Sequence, residues 1–329
     1  WKCAQLESSK SFTKAFLARH SIPTAGYKEF TDIEQLKSST GIFGYPMVIK
    51  ADGLAAGKGV VIAEDEASAI SAIDQIMGDR IFGEAGDKIV VEEYLTGIEA
   101  SVLCFVDGKT IVPMESAQDY KRIFDKDKGP NTGGMGTYSP SLIFNETLET
   151  QIREKILEPT IKGFQKDELD FKGILFEFNN RFGDPETQSL LPRMKTDLID
   201  IINAVLEEKL EDQIIEWSDQ KAVCVIMASG GYPGDYNKGK IISGLDNLDE
   251  DVIVFHSGTK YVSEDGADLP EKQANSLIAT NGGRVLGITA LGKTHEEARD
   301  RAYKNITRIS FEGSQYRKDI GLLPDRSEE

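Results

Sequence analysis

The sequence predicts an α+β fold, because segments with the periodicity of strands and segments with the periodicity of helices follow one another along the chain. Short apolar runs joined by glycine-containing turns indicate antiparallel hairpins at 46–63 and 99–113. Apolar residues three or four positions apart predict helices at 7–20, 65–78 and 146–165. Strand-like and helical segments both continue to the C-terminal part of the chain.

Chain length is compatible with more than one domain, since 329 residues can form two or three compact units. We expect one unit over 1–190, with a smaller hairpin subdomain at about 46–112, and a second α+β unit over 191–329. In the second unit, buried strands precede a helix at 294–310. Thr294 and Glu297 have the spacing of a capping box at its start.

Composition excludes several classes of partner. The net charge of −17 argues against a nucleic-acid-binding face, which is basic. No apolar run is long enough to cross a bilayer, and no secretory signal pattern is present. Cys3, Cys104 and Cys224 have no metal-binding or disulfide spacing. We therefore expect a cytoplasmic protein with neither nucleic acid nor membrane as a partner.

A glycine-rich stretch joins the first predicted strand pair. The strand at 46–50 ends in Lys50, and Gly57, Lys58 and Gly59 precede the next strand. A P-loop lysine would start a helix, but strand-like sequence follows here. One interpretation is a hairpin flap whose amides and Lys58 cover phosphates, with Lys50 reaching them from below. The other is a flexible hairpin with a solvated lysine.

The end of the strand at 88–95 offers groups that could hold a nucleoside. Backbone groups of Glu93 and Leu95 could pair with an adenine edge, and Glu99 could hold ribose hydroxyls. From position alone, a surface strand end is the simpler interpretation of both glutamates.

A loop at 129–136 contains four glycines, with Asn131 and Thr132 followed by Gly133 and Gly134. Such a loop lets the backbone approach a ligand closely. Lys121 and Arg122 precede it and would balance anionic groups.

The motif at 176–188 indicates a divalent metal. Strand alternation places Phe176 and Phe178 on one face and Glu177 and Asn179 on the other. A carboxylate beside an amide oxygen suits Mg²⁺ on nucleotide phosphates. Arg181 adds a fixed cation for phosphate or carboxylate, and Gly-Asp-Pro then turns the chain.

Together these motifs resemble the phosphoribosylamine–glycine ligase family, ATP-grasp enzymes of purine biosynthesis. The resemblance extends from residue 4 to 321, and the order of GPNTGGMG at 129–136 and EFNNRFGDPETQ at 177–188 makes it specific. Further motifs that carry it lie at 6–10, 50–59, 117–122, 231–234, 282–286 and 316–321.

The resemblance implies an ATP-grasp fold, in which two α+β subdomains enclose ATP, plus a small C-terminal α+β domain. It implies ligation of glycine to 5-phosphoribosylamine through an acyl phosphate, with ATP and Mg²⁺ or Mn²⁺. The implied nucleotide-binding residues are Lys50, Gly57, Lys58, Gly59, Glu93, Leu95 and Glu99. The implied metal ligands are Glu177 and Asn179, the catalytic residues are Lys58, Arg181 and Asp184, and the substrate side holds Asp184 with Asn131, Thr132, Gly133 and Gly134.

Three further expectations follow from the resemblance. Family members have an N-terminal domain of roughly one hundred residues and a strand turn between Phe176 and Glu177; neither is found in the 329 residues, and we expect both in the full polypeptide. Eukaryotic members are often fused to aminoimidazole ribonucleotide synthetase, and residues 324–329 would begin such a linker. Two alternative functions stay open: another ATP-grasp carboxylate–amine ligase, and a nucleotide-binding fragment without catalysis.

Overall fold

The computed structural model describes residues 2–55, 59–175, 178–273 and 275–322. Its α-helices in this part of the chain are Gln5–Ser8 (α1), Lys10–Arg19 (α2), Ile33–Lys37 (α3), Glu66–Ile73 (α4), Glu146–Ile152 (α5), Glu158–Lys166 (α6), Thr187–Leu190 (α7), Leu198–Leu206 (α8) and His295–Ile306 (α9). Its strands are Tyr27–Phe30 (β1), Met47–Ala51 (β2), Val60–Ala63 (β3), Ile89–Glu93 (β4), Ser101–Asp107 (β5), Ile111–Asp119 (β6), Arg122–Phe124 (β7), Lys128–Asn131 (β8), Gly136–Ser139 (β9), Lys172–Leu175 (β10), Lys221–Ala228 (β11), Val252–His256 (β12), Thr259–Val262 (β13), Asp268–Leu269 (β14), Leu277–Thr280 (β15) and Arg284–Gly292 (β16).

A four-stranded antiparallel sheet holds the predicted glycine-rich hairpin. The strand order is β1-β4-β2-β3, and β2 pairs with β3, which confirms the hairpin. Met47 and Ile49 are fully buried against α3 and α4, while Val48 and Lys50 alternate to the other face. This alternation points Lys50 away from the core, because side chains on a strand have a period of two.

A seven-stranded antiparallel sheet forms the rest of the frame, in the order β10-β5-β6-β9-β11-β16-β12. Residues 94–100 connect β4 of the smaller sheet to β5 of the larger one. The larger sheet continues from β9 directly to β11, which pairs Ala222 with Ser139. It therefore crosses the predicted domain boundary between 190 and 191, and that boundary stays a prediction.

The predicted helices form, with local differences. The helix expected at 7–20 divides at Ser9, whose side chain accepts a hydrogen bond from the Phe12 amide and caps α2. The helix expected at 146–165 is continuous through a wider turn at Arg153–Leu157. Thr294 caps α9 by accepting from the Glu297 amide at 3.1 Å. Within the described ranges no helix is long and apolar enough to span a membrane.

The predicted strand alternation through the metal motif is wrong at Phe178. This residue has φ of +64°, in the left-handed region, so the strand Lys172–Leu175 does not extend regularly through it. Phe176 and Glu177 lie outside the described residues. The prediction from periodicity failed here because the Phe-Asn-Asn run contains no local signal for a left-handed backbone conformation at its first residue.

Candidate active site

A cavity of about 1010 Å³ opens between the smaller sheet and helix α2. We call it the central cavity. Leu54, Gly59 and Val60 of the glycine-rich hairpin form one wall. The charged and amide side chains that line it belong to Glu7, Lys10, Lys14, Lys50, Glu92, Asn179 and Arg181. Its volume lies at the upper end of the range for small-molecule binding sites.

A buried carboxylate joins two lysines in this cavity. Lys50 on β2 and Glu92 on β4 are diagonal neighbours on one face, because Lys50 lies opposite Val90. The Lys50 Nζ lies 2.9 Å from Glu92 Oε2, and the Lys14 Nζ lies 3.2 Å from the same oxygen. Burial lowers the pKa of Lys14. Among the described residues that line the cavity, four carry positive charge and two carry negative charge: Lys10, Lys14, Lys50 and Arg181 against Glu7 and Glu92.

Lys10 adds a further cation at the base of the hairpin. Its Nζ donates to the carbonyls of Asp52 and Gly53 at 3.4 and 3.3 Å. The Asp52 carboxylate accepts from the Ser11 amide at 2.6 Å and so ties the hairpin base to the start of α2. Burial lowers the pKa of Lys10. No carboxylate oxygen accepts a hydrogen bond from Lys10 among the described residues, so this cation is available to an anionic ligand.

Sequence reasoning missed Lys10 and Lys14 as site residues. A usable signal was present, since residues four apart on a helix share one face. What the sequence does not contain is the direction of that face, which depends on how α2 packs against the smaller sheet.

Asn179 and Arg181 approach the cavity from the segment that follows β10. Asn179 lines it directly. Arg181 donates from Nε to Glu7 Oε1 at 3.1 Å, and the Asn180 amide donates to Glu7 Oε2 at 3.2 Å. Glu7 therefore fixes this segment against α1. The Arg181 side chain remains about half exposed, at 53%.

One member of the predicted metal pair, Asn179, lines the central cavity. Glu177 lies outside the described residues, while Asn179 supplies an amide oxygen at the cavity wall. Within the described ranges no cluster of three or more His, Cys, Asp or Glu residues is placed to hold a metal. The hard oxygen donor at Asn179 fits Mg²⁺ or Mn²⁺.

A second group of predicted residues meets at the loop over 129–136, which we call the glycine-rich loop. Asp184 accepts from Arg284 at 2.8 Å, and the same guanidinium donates to the Gly133 carbonyl at 2.6 Å. Gly134 has φ of +107°, and a Cβ there would lie 2.3 Å from the Pro185 ring. The structure thus brings Asp184 together with the loop. Arg284, which joins them, was not assigned a role from the sequence.

The loop also bonds to the segment between β6 and β7 and to Tyr232. Thr132 donates from Oγ1 to the Lys121 carbonyl at 2.8 Å, and the Gly133 amide donates to the Tyr232 hydroxyl at 3.0 Å. Asn131 ends β8 and pairs with Arg122. The loop is therefore held at both ends by defined bonds.

Three residues predicted to bind the nucleoside do not line the central cavity in the described part of the chain: Glu93, Leu95 and Glu99. The Glu93 carboxylate accepts from the Gly26 amide at 2.7 Å. Leu95 is exposed on the connection between the two sheets, and Glu99 forms an ion pair with Lys121. Gly57 and Lys58 lie outside the described residues. The ligand-binding roles of these five residues stay predictions: Gly57, Lys58, Glu93, Leu95 and Glu99.

Comparison with known proteins identifies the family. The model described as phosphoribosylglycinamide synthetase, ATP-grasp (A) domain matches residues 8–187, and the C domain of the same name matches residues 222–323. A phosphoribosylamine–glycine ligase from Caldanaerobacter subterraneus subsp. tengcongensis is 46% identical over an alignment of 332 residues, gaps included. The alignment covers 97% of this chain and 76% of that protein.

A crystal structure of the phosphoribosylamine–glycine ligase from Thermotoga maritima superposes with a TM-score of 0.82 at 33% identity, covering 97% of this chain and 80% of that one. The trifunctional purine biosynthetic protein adenosine-3 of Gallus gallus is 47% identical over 336 residues, covering 97% of this chain but 32% of that protein. The extent of these matches means that the chain belongs to the phosphoribosylamine–glycine ligase family of ATP-grasp enzymes.

Proposed function

We propose that this chain ligates glycine to 5-phosphoribosylamine with ATP, giving glycinamide ribonucleotide, ADP and phosphate in purine biosynthesis. The observation that carries the proposal is the central cavity, in which Lys10, Lys14 and Lys50 line the same space as Asn179 and Arg181. A concentration of cations beside a hard oxygen donor suits a nucleoside triphosphate.

The chemistry has two balanced steps. A glycine carboxylate oxygen attacks the γ-phosphorus of ATP, the bond to the bridging oxygen breaks, and ADP leaves with glycyl phosphate formed. The amine of phosphoribosylamine then attacks the acyl carbon, phosphate leaves, and the new amide nitrogen loses a proton. The protein contributes positioning and charge neutralisation instead of a covalent intermediate of its own.

The lysines of the central cavity supply this neutralisation. Lys50 shares Glu92 with Lys14, so a phosphate can take over Lys50 while Glu92 keeps a partner. Lys10 donates to the carbonyl oxygens of Asp52 and Gly53 and can turn to a phosphate oxygen. Arg181, fixed by Glu7 and half exposed, steadies the transferring phosphoryl group.

Asn179, with Glu177, would hold the divalent cation. Bound Mg²⁺ or Mn²⁺ neutralises phosphate charge during transfer. We assign glycine and phosphoribosylamine to the other group, where Asp184, Arg284 and the loop over 131–134 meet. A carboxylate and a guanidinium at one place suit a ligand that carries both an ammonium and an anionic group.

We also propose that the second unit begins after residue 190. From the family resemblance we further propose a fusion to aminoimidazole ribonucleotide synthetase; the Gallus gallus relative is named a trifunctional purine biosynthetic protein. The cytoplasmic location predicted from the sequence stays a prediction.

Product analysis tests the proposed function. The protein is incubated with ATP, Mg²⁺, glycine and freshly generated phosphoribosylamine, and ADP and the amide product are measured. We expect glycine-dependent ADP and glycinamide ribonucleotide. Equal use of other amino acids in place of glycine would instead indicate a different carboxylate–amine ligase, and ATP binding without turnover would indicate a non-catalytic protein.

Three variants locate the chemistry. Lys50→Met and Glu177→Ala should abolish ADP formation while leaving the circular dichroism spectrum unchanged. Lys162→Met, which removes a lysine that is 72% exposed on α6, is the matched control and should retain activity. Full activity of the Lys50 variant would remove the phosphate role of the central cavity.

A further inference from the structure

A C-terminal segment packs against the hairpin formed by β7 and β8, although it takes no part in the proposed chemistry. The segment covers 315–322 and includes Arg317, whose side chain is 0% exposed. Arginine is rarely buried without a specific set of acceptors. The question is therefore what this arginine holds in place.

All three nitrogens of the Arg317 guanidinium donate hydrogen bonds. Nε and Nη2 donate to the two carboxylate oxygens of Asp319 at 2.7 and 2.6 Å. Nη1 donates to Asp127 Oδ1 at 2.7 Å and to the Arg122 carbonyl at 3.0 Å. The guanidinium carbon lies 4.8 Å from the centre of the Tyr120 ring. One side chain thus contacts the start of the hairpin, its turn and the Tyr120 ring just before it.

Other bonds tie the same two parts together. The Asp319 carboxylate, oriented by Arg317, also accepts from the Lys126 amide at 2.8 Å. The Lys318 amide donates to Asp125 at 2.7 Å, and the Gly321 amide donates to the Tyr120 hydroxyl at 3.2 Å. Hydrogen bonds from the C-terminal segment therefore hold both the start of the hairpin and its turn.

The gripped residues in turn set the position of the glycine-rich loop. The Thr132 amide donates to the Lys121 carbonyl at 2.7 Å, and the Met135 amide donates to the Tyr120 carbonyl at 2.8 Å. Asn131 pairs with Arg122 across the hairpin. Residues 120–122 are thus bonded to the loop on one side and to Arg317 on the other.

We propose that Arg317 is a positioning residue that holds the loop over 131–134 in the conformation that receives the substrate. This inference rests on the proposed function, which assigns glycine and phosphoribosylamine to that loop. Arg317 touches neither substrate; it acts through residues 120–122 and through Asp127. Lysine cannot replace it, since an ammonium has no planar fork to hold two carboxylates and a carbonyl at once.

The test compares Arg317→Lys with Arg308→Lys. Arg308 is a matched control, because its Nη1 also donates to a carboxylate, Asp249, and to a carbonyl, that of Asn247, both at 2.8 Å. Steady-state constants are measured for ATP, glycine and phosphoribosylamine separately. Amide hydrogen exchange of the peptide over 128–136 is followed in parallel.

We expect Arg317→Lys to raise KM for glycine or phosphoribosylamine about ten-fold, since small displacements of positioning groups cost one to two orders of magnitude. KM for ATP should stay within about two-fold, because the loop is not part of the central cavity. Exchange over 128–136 should become faster in this variant and not in Arg308→Lys. Faster exchange with unchanged KM values would overturn the inference, as would an equal rise of all three KM values.

Asp127→Asn keeps the test decisive if Arg317→Lys does not fold. The Asp127 side chain is 69% exposed, and asparagine tolerates its φ of +51°. A selective rise in KM for glycine or phosphoribosylamine supports the inference, and unchanged constants refute it. A wild-type protein without glycine-dependent product refutes the proposed function, whereas an active wild type with an unaffected Arg317 variant refutes the inference alone.

Discussion

Replacing Glu92 by glutamine tests the charge arrangement of the central cavity. The Glu92 side chain is 8% exposed and contacts Lys14, which is 9% exposed, and Lys50, which is 26% exposed. Glu92→Gln keeps the shape but leaves two ammonium groups without their carboxylate. Removing one partner of a buried ion pair costs about 3–5 kcal/mol of unfolding free energy.

A matched control lies on the same sheet. Glu29 on β1 is 34% exposed and lies 3.8 Å from the Lys88 ammonium, which is 37% exposed. Glu29→Gln should cost no more than about 1 kcal/mol, as exposed pairs do. Urea unfolding of both variants and the wild type gives the comparison. A loss for Glu92→Gln no larger than for Glu29→Gln would refute the reasoning.

The Glu92→Gln variant should also respond differently to pH and to nucleotide. Burial lowers the pKa of Lys14, and Glu92 opposes that effect, so the pKa falls further in the variant. The unfolded chain then binds more protons than the folded one, and stability rises as the pH approaches the ordinary lysine value of about 10.4. ATP with Mg²⁺ should stabilise the variant more than the wild type, since phosphates replace the lost carboxylate.

Three other predictions concern the loop and the C-terminal unit. Gly134→Ala should lower the unfolding free energy by at least about 2 kcal/mol, because the new methyl would meet the Pro185 ring at a left-handed backbone position; an unchanged urea midpoint would contradict this. Arg284→Met should raise KM for glycine or phosphoribosylamine about ten-fold in steady-state assays and leave KM for ATP unchanged. The substitution removes the guanidinium that binds the Asp184 carboxylate and the Gly133 carbonyl. Hydrogen bonds led by Arg308 lower the pKa of Asp249 to about 2, so its stabilising contribution is complete above about pH 4 and is lost as the pH falls towards 2. Asp249→Asn should lack that part of the acid dependence in urea midpoints measured across this range; identical pH profiles would argue against it.

Much of the fold was predictable because its signals are local. The apolar run at 46–50 and the glycines that follow it identify the first hairpin, and the structure pairs β2 with β3 as expected. Periodicity identifies the helices at 66–73 and 146–166. The failure at Phe178 has the opposite cause, since a left-handed residue without glycine leaves no mark in the sequence.

The candidate site was predictable in part. Lys50 and Asn179 were assigned from motifs and do line the same cavity. Lys10, Lys14 and Arg284 were missed as site residues, although each lies in or near a motif. Their partners are distant along the chain: Lys14 contacts Glu92, and Arg284 contacts Asp184. No local pattern specifies such a pairing.

The sequence by itself determined the family, the strand and helix content, and the residue types that phosphate chemistry requires. Only the tertiary structure decided that Glu92 is shared by two lysines and that Arg317 grips the hairpin beside the glycine-rich loop. The physical reason is the range of the interactions. Turns and periodicities arise from neighbours along the chain, whereas charge pairing depends on which strands and helices become neighbours when the sheets assemble.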